Sequence, residues 1–166
     1  MTGPLDVAPT PGRDAPVAGL VLRPARPLDA GAMGGILSDF IDMTPWMPRV
    51  HSRAEEIGFA DRLIDEGWTT VAVDAAGVAG FLSREADEVH ALYLRGDARG
   101  RGIGTALLAQ AKAVRDRLTL WCFQANTSAQ GFYRAQGFAE LRRTNGTRND
   151  EGLPDIRLVW DRRRHG

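Results

Sequence analysis

At 166 residues the chain suits one domain with a single core, and its 21 lysines and arginines balance 21 aspartates and glutamates. That neutrality argues against nucleic acid as a partner, and the lone cysteine, Cys122, excludes a disulfide framework and a thiol metal cluster. No apolar stretch approaches the ~20 residues of a membrane span, and no charged-then-apolar signal opens the chain, so a cytoplasmic protein without membrane contact is the expectation.

Residues 1–18 are rich in Pro, Gly and Ala without periodicity and read as a mobile leader, leaving 19–164 as one domain. A first strand is expected at Gly19–Arg23, then a helix over Asp29–Phe40 with Ala32, Ile36, Leu37 and Phe40 on one stripe. Gly31, Gly34 and Gly35 weaken that helix. Thr44-Pro45-Trp46-Met47-Pro48 is a loop, because neither proline tolerates a helix interior. Ser52 and Glu55 form a capping box that starts a helix through about Asp65. Trp68–Val73 and Val78–Ser83 flank Asp74-Ala75-Ala76-Gly77, a hairpin signal. A third strand, Val89–Leu94, leads into Arg99-Gly100-Arg101-Gly102-Ile103-Gly104-Thr105. The next helix carries Ile103, Ala106, Leu107, Ala111 and Val114 on one face. Leu118–Phe123 reads as a strand buried on both faces, which makes Cys122 a buried thiol rather than a nucleophile. A helix over Ser128–Gln136 stops at Gly137, and Phe138–Arg143 and Ile156–Asp161 form a last antiparallel pair.

The glycine loop carries the most chemistry. Three glycines alternate with arginines where a strand hands over to a helix. Glycine takes positive φ and keeps side chains out of the way, while a helix N-terminus presents unpaired N–H groups and partial positive charge. Together they make an anion cradle suited to a phosphate. The spacing is neither a P-loop, which needs a lysine, nor the dinucleotide Gly-x-Gly-x-x-Gly, since Leu107 stands at the third glycine. An NAD-type domain would also need an acidic residue on the next strand, and Leu118–Phe123 has none.

A second constellation follows, Asn126-x-x-Ala129-x-x-Phe132-Tyr133-x-x-x-Gly137-Phe138. This pattern, together with Arg99-x-x-Gly102-x-Gly104 and the strand Leu92-Tyr93-Leu94, resembles the two signatures of the GNAT acyl-CoA N-acyltransferases. The resemblance runs over roughly Leu20 to Asp161. It implies an α/β fold, with a mixed, mostly antiparallel central sheet, splayed middle strands and about four helices. It also implies acetyl-CoA as co-substrate without a metal. The three histidines, His51, His90 and His165, likewise lack ligand spacing. By the same resemblance the cofactor's pantetheine pairs with the backbone of Leu92, Tyr93 and Leu94. Its pyrophosphate sits on Arg99, Gly100, Arg101, Gly102, Ile103, Gly104 and Thr105, and Asn126, Phe132 and Tyr133 flank it. Phe132, Phe138 and Trp121 also read as core residues, and Asn126 as a helix N-cap.

The resemblance assigns Tyr133 as general acid toward the departing thiolate. An alkylamine with pKa near 10.4 is almost wholly protonated at pH 7, so a base or a water chain must deprotonate it. Glu88, eleven positions before Arg99, and His90 on the same face of the strand are the candidates. The family's oxyanion donor, a backbone N–H at the splay, is expected near Leu94, where the apolar run breaks at Arg95-Gly96. Trp46, Met47 and His51, with Arg148, Asp150, Glu151 and Asp155 as solvated loop charges, lie where acceptors bind. The expected activity is direct acetyl transfer to a primary amine of a small molecule. Peptide amines, or a non-catalytic acyl-CoA-binding module, are the alternatives. A homodimer is compatible with the resemblance.

Overall fold

The computed structural model describes residues 19–164; the expected leader and the last two residues lie outside them. A seven-stranded sheet runs in the order β1-β2-β3-β4-β5-β7-β6. Its strands are β1 (Val21–Pro24), β2 (Thr69–Asp74), β3 (Gly77–Glu85), β4 (Glu88–Leu94), β5 (Arg117–Phe123), β6 (Ala139–Thr144) and β7 (Asp155–Asp161). All neighbours are antiparallel except β4 and β5. Four helices cover it: α1 (Ala30–Asp42), α2 (Arg53–Asp65), α3 (Ile103–Val114) and α4 (Thr127–Ala135). The mixed α/β architecture with splayed middle strands is as expected.

Strand alternation divides the core into two layers. Leu92, Leu94, Leu118, Leu120 and Cys122 pack with Leu107, Leu108, Phe132 and Tyr133 of α3 and α4. Ala91, Tyr93, Val71 and Phe81 pack with Met33, Leu37, Phe40 and Leu63 of α1 and α2. The buried α1 stripe runs through Ala30, Met33, Leu37 and Phe40 and leaves out Ala32, which is exposed. Val114 is also outside the core, 62% exposed as the last residue of α3.

Two local features set the spacing of the site. Gly34 lies where α1 crosses α2 so closely that a Cβ would stand 2.6 Å from Ile57 Cγ1 and 3.0 Å from its Cα. The glycine that weakens α1 as a helix thus permits its packing. The Ser52 hydroxyl accepts from the Glu55 N–H at 3.1 Å and the Glu55 carboxylate accepts from the Ser52 N–H at 3.2 Å, so the capping box forms as read.

Candidate active site

The β4–β5 pair is parallel and joined at one register position, Glu88↔Thr119, with Thr119 N–H donating to Asp87 C=O at 2.8 Å. Beyond it the strands diverge. The divergence thus opens directly after Glu88 and takes in Leu94, and an irregularity in the β3–β4 register accompanies it. Ser83 faces Ala91 while Arg84 faces Val89, so His90 is an extra, bulged residue. A bulge bends and twists the strand that carries it. The stretch from Val89 to Leu94 is turned away from β5, leaving its β5-facing backbone groups positioned to pair with an inserted chain.

At the end of β4 the chain turns through Gly96–Ala98 and reaches Gly100 and Gly102 at φ +72° and +82°. Gly102 is the N-cap of α3 in the left-handed region, a conformation costly for any residue with a Cβ. The first-turn amides of α3 have no acceptor inside the helix and face its N-terminal end. Ile103 and Gly104 are buried, so they offer backbone rather than side chain to a ligand. The Thr105 hydroxyl accepts from the Gln136 amide at 3.0 Å, tying the start of α3 to the end of α4.

The sequence reading missed Asp74. Arg95 donates to it at 2.7 Å and to Val78 C=O at 3.0 Å, and Arg101 reaches it at 3.3 Å. The Arg95 hydrogen bond, with the Ala76 N–H and Arg101, lowers the Asp74 carboxyl to about 2. One arginine assigned to pyrophosphate is thus ion-paired to the β2–β3 turn. Being 44% exposed, it is held weakly enough to exchange partners. The Asp-Ala-Ala-Gly pattern signalled the turn, but no local pattern signals a pair across 21 to 27 residues.

Tyr133 sits on α4 with 0% exposure, edge-on to Phe132 at 5.3 Å and Phe138 at 5.4 Å. Its hydroxyl has no hydrogen-bond partner among the described residues. A buried, unpaired hydroxyl costs about 1–3 kcal/mol, a penalty that a bound acceptor atom would remove. Burial also holds the phenol well above its ordinary value of 10, so it remains a donor. Asn126 accepts from the Ala129 N–H at 3.0 Å and is the N-cap of α4, the helix-orienting role. Phe132 lies in the core, as does Cys122, whose thiol is pushed up to about 12 by burial.

The two base candidates are not brought together. Glu88 Oε1 accepts from Arg157 at 2.7 Å and Oε2 from the Thr119 hydroxyl at 2.7 Å, at the narrow end of the splay. His90 turns toward the opposite neighbours of β4, stacked on Trp68 at 5.2 Å with Nε2 3.0 Å from Glu85. Their partners draw them to opposite sides of β4, Glu88 to Thr119 of β5 and Arg157 of β7 and His90 to Glu85 of β3 and Trp68. Trp121 is not core as expected: it is partly exposed between the guanidinium groups of Arg142 at 5.2 Å and Arg157 at 5.1 Å.

On the α1–α2 face an aromatic chain crosses the splay. Phe123 of β5 meets Trp46 at 5.9 Å, Trp46 meets Phe40 at 6.4 Å, and Phe40 meets Tyr93 of β4 at 5.5 Å. Beside it lies a cleft of about 320 Å³ lined by Ile41, His51, Glu55, Glu56, Phe59, Arg62 and Asp150, among others. His51 bridges Glu55 at 3.4 Å and Asp150 at 3.3 Å, joining the α1–α2 loop to the β6–β7 loop. Those two carboxylates raise the His51 imidazole above its ordinary 6.5. Asp155, read as a solvated loop charge, is buried and accepts from Thr144 and from Asn149, the latter at 3.1 Å. No helix among the described residues is long and apolar enough to cross a membrane, and no metal-binding cluster occurs among them.

The aligned stretches amount to 36% and 63% of the full length of two curated relatives. One is the peptidyl-lysine N-acetyltransferase YjaB of Salmonella typhimurium, 30% identical over 93 residues, or 56% of this chain. The solution structure of apo YjaB from Escherichia coli superposes with TM-score 0.72 at 24% identity, covering 85% of this chain and 97% of that one. Salmonella typhimurium YncA with its cofactor acetyl-CoA superposes at 0.67 and 16% identity, covering 87% and 95%. Residues 51–140, more than half of the chain, match the acetyltransferase (GNAT) domain. That span holds the splayed pair, the glycine loop and the Tyr133 helix described above, and the chain belongs to the GNAT acetyltransferase family.

Proposed function

We propose that this protein transfers an acetyl group from acetyl-CoA directly to the primary amine of a small molecule. The observation that carries the reading is the buried Tyr133 hydroxyl without a partner, on the helix facing the splayed β4–β5 pair. Acetyl-CoA supplies an activated thioester carbonyl and a thiolate leaving group. The α3 N-terminus and the Gly100–Gly102 turn hold its pyrophosphate, chiefly through backbone amides. The β4 backbone from Val89 to Leu94 takes the pantetheine arm as an added strand. An N–H of that stretch faces the thioester oxygen. Tyr133 donates a hydrogen bond to sulfur. A thiol near 8.5 is a better leaving group than phenolate near 10, so full proton transfer is unnecessary.

Glu88 is the base. Both of its oxygens already accept a hydrogen bond, so it takes the amine proton through water while Arg157 and Thr119 hold it in place. Its position at the narrow end of the splay, on the α1–α2 side, favours it over His90, which is turned away toward Trp68. A small acceptor is favoured because His51 ties the two loops across the mouth of the cleft. A peptide lysine is the second reading, carried by the named activity of the Salmonella relative. Thiol release measured across small amines and lysine peptides tests both. Turnover confined to peptides replaces the first reading with the second, and acetyl-CoA binding without turnover on any amine removes both.

A further inference from the structure

Resting on the acetyl-transfer reading above, the geometry points to an acceptor that carries a second positive charge, an α,ω-diamine, whose far ammonium is held by Glu56. Glu56 lies on the first turn of α2 and is 3% exposed, yet it lines the cleft. Its Oε1 accepts from Arg49. Its Oε2 is buried and has no hydrogen-bond partner among the described residues. Leaving a buried carboxylate oxygen unpaired is costly, and a charge-assisted N–H donor is the strongest remedy.

The neighbouring donors do not supply it. Arg49 divides its remaining contacts between Ser38 and Asp42, at 3.0 and 2.7 Å. His51 is taken by Glu55 and Asp150. The Arg62 guanidinium lies over the Phe59 ring, 5.7 Å from its centroid. The cleft therefore holds three carboxylates against Arg62 and His51, with one oxygen in want of a donor.

The cleft also leads toward the reaction centre. It shares Ile41 and His51 with a narrow, mostly apolar passage lined by Leu37, Phe40, Met47, Tyr93 and Phe123, with the Glu151 carboxylate also on its wall, and Tyr93 and Phe123 belong to the diverging strands. A methylene chain suits that passage, with one amine at the splay and the other at Glu56. A carboxylate at the far end would instead meet Glu55, Glu56 and Asp150.

The test compares butylamine, putrescine and γ-aminobutyrate, which share a four-carbon chain and differ in the charge of the distal end. Putrescine is expected to exceed butylamine in kcat/KM by about 10–100-fold, mostly through KM, the worth of a hydrogen bond to a charged group. γ-Aminobutyrate should rank last. Glu56→Gln should bring the putrescine-to-butylamine ratio close to one. Because that change also disturbs Arg49, Gly58→Lys is the second variant: Gly58 lines the cleft, and its Cβ would meet nothing within 4 Å. The added ammonium should collapse the same ratio. A wild-type ratio near one, a preference for γ-aminobutyrate, or a ratio that survives both substitutions overturns the inference. If no amine is acetylated, the functional reading has failed separately. Calorimetry then decides: putrescine binding that Glu56→Gln abolishes upholds the cation site, and binding that is absent or indifferent to Glu56 removes it.

Discussion

The two halves of this molecule prepare for their ligands by different means. On the α3–α4 side the groups proposed to meet the cofactor are mostly backbone: first-turn amides, two glycines with positive φ, and the edge of a bulged strand. On the α1–α2 side they are side chains, Glu56, His51, Asp150 and an aromatic row, supplied by separate loops and helices. A backbone site tolerates changes of side chain but not of conformation. A side-chain site is retuned by single substitutions. On the function proposed above, the backbone half suits a common donor and the side-chain half an individual acceptor.

The largest effect is expected at Tyr133, the side chain proposed above to serve the departing thiolate. Tyr133→Phe should lower kcat by ~10²–10⁴ while acetyl-CoA affinity persists. It should also raise stability by about 1 kcal/mol, because an unpaired buried hydroxyl is removed. Denaturant melts and steady-state rates on one preparation check both signs, and a destabilised variant would mean the hydroxyl has a partner within the fold.

Next in size is the contrast between Gly102 and Arg101. Gly102→Val forces a β-branched residue to φ +82° at the head of α3 and should abolish measurable acetyl-CoA binding. Arg101→Ala should weaken it by only a few-fold, corresponding to about 0–1 kcal/mol for an exposed ion pair. Calorimetry giving equal losses would move the anchor from backbone to side chain and erase the contrast drawn above.

The acceptor side has its own glycine contrast. Gly34→Ala sets a Cβ against Ile57 and should destabilise, since overpacking of about 1–3 kcal/mol exceeds the helix gain of about 1 kcal/mol. Gly35→Ala, one residue on and open to solvent, should stabilise by about 0.5–1 kcal/mol. Thermal melts moving in the same direction for both would refute the close helix approach.

The smallest effects separate the halves by pH. Asp74 falls from an ordinary 3.8 to about 2 on folding, so its stabilising pairing is complete above about pH 4 and is lost as pH falls toward 2. His51 is raised above 6.5, so its contribution is complete below that value and is lost as pH rises through the folded-state pKa. Asp74→Asn should flatten only the acid limb of Tm against pH, and His51→Gln only the neutral-to-alkaline limb. Cross-effects would show the two regions to be coupled.

What the chain determined alone was local. Glycine spacing, the Ser52–Glu55 cap, the Asp74–Gly77 turn and the Asn126–Tyr133 helix are encoded within a dozen residues each. These place the glycine loop, Tyr133 and nearly every element on the sequence itself. Tertiary structure decided whatever depends on residues far apart. Alternation put His90 beside Glu88, but distant partners drew them apart, Thr119 and Arg157 holding Glu88 while Trp68 and Glu85 hold His90. Asp74 gained two arginines, Trp121 was drawn out between Arg142 and Arg157, and Glu56 was buried by its neighbours with one oxygen unpaired. Backbone conformation responds to near neighbours in sequence, whereas the burial and pairing of a charge depend on which distant elements pack against it. The local elements of the α3–α4 side were therefore legible in the chain, and the charge pairing of the α1–α2 side awaited the fold.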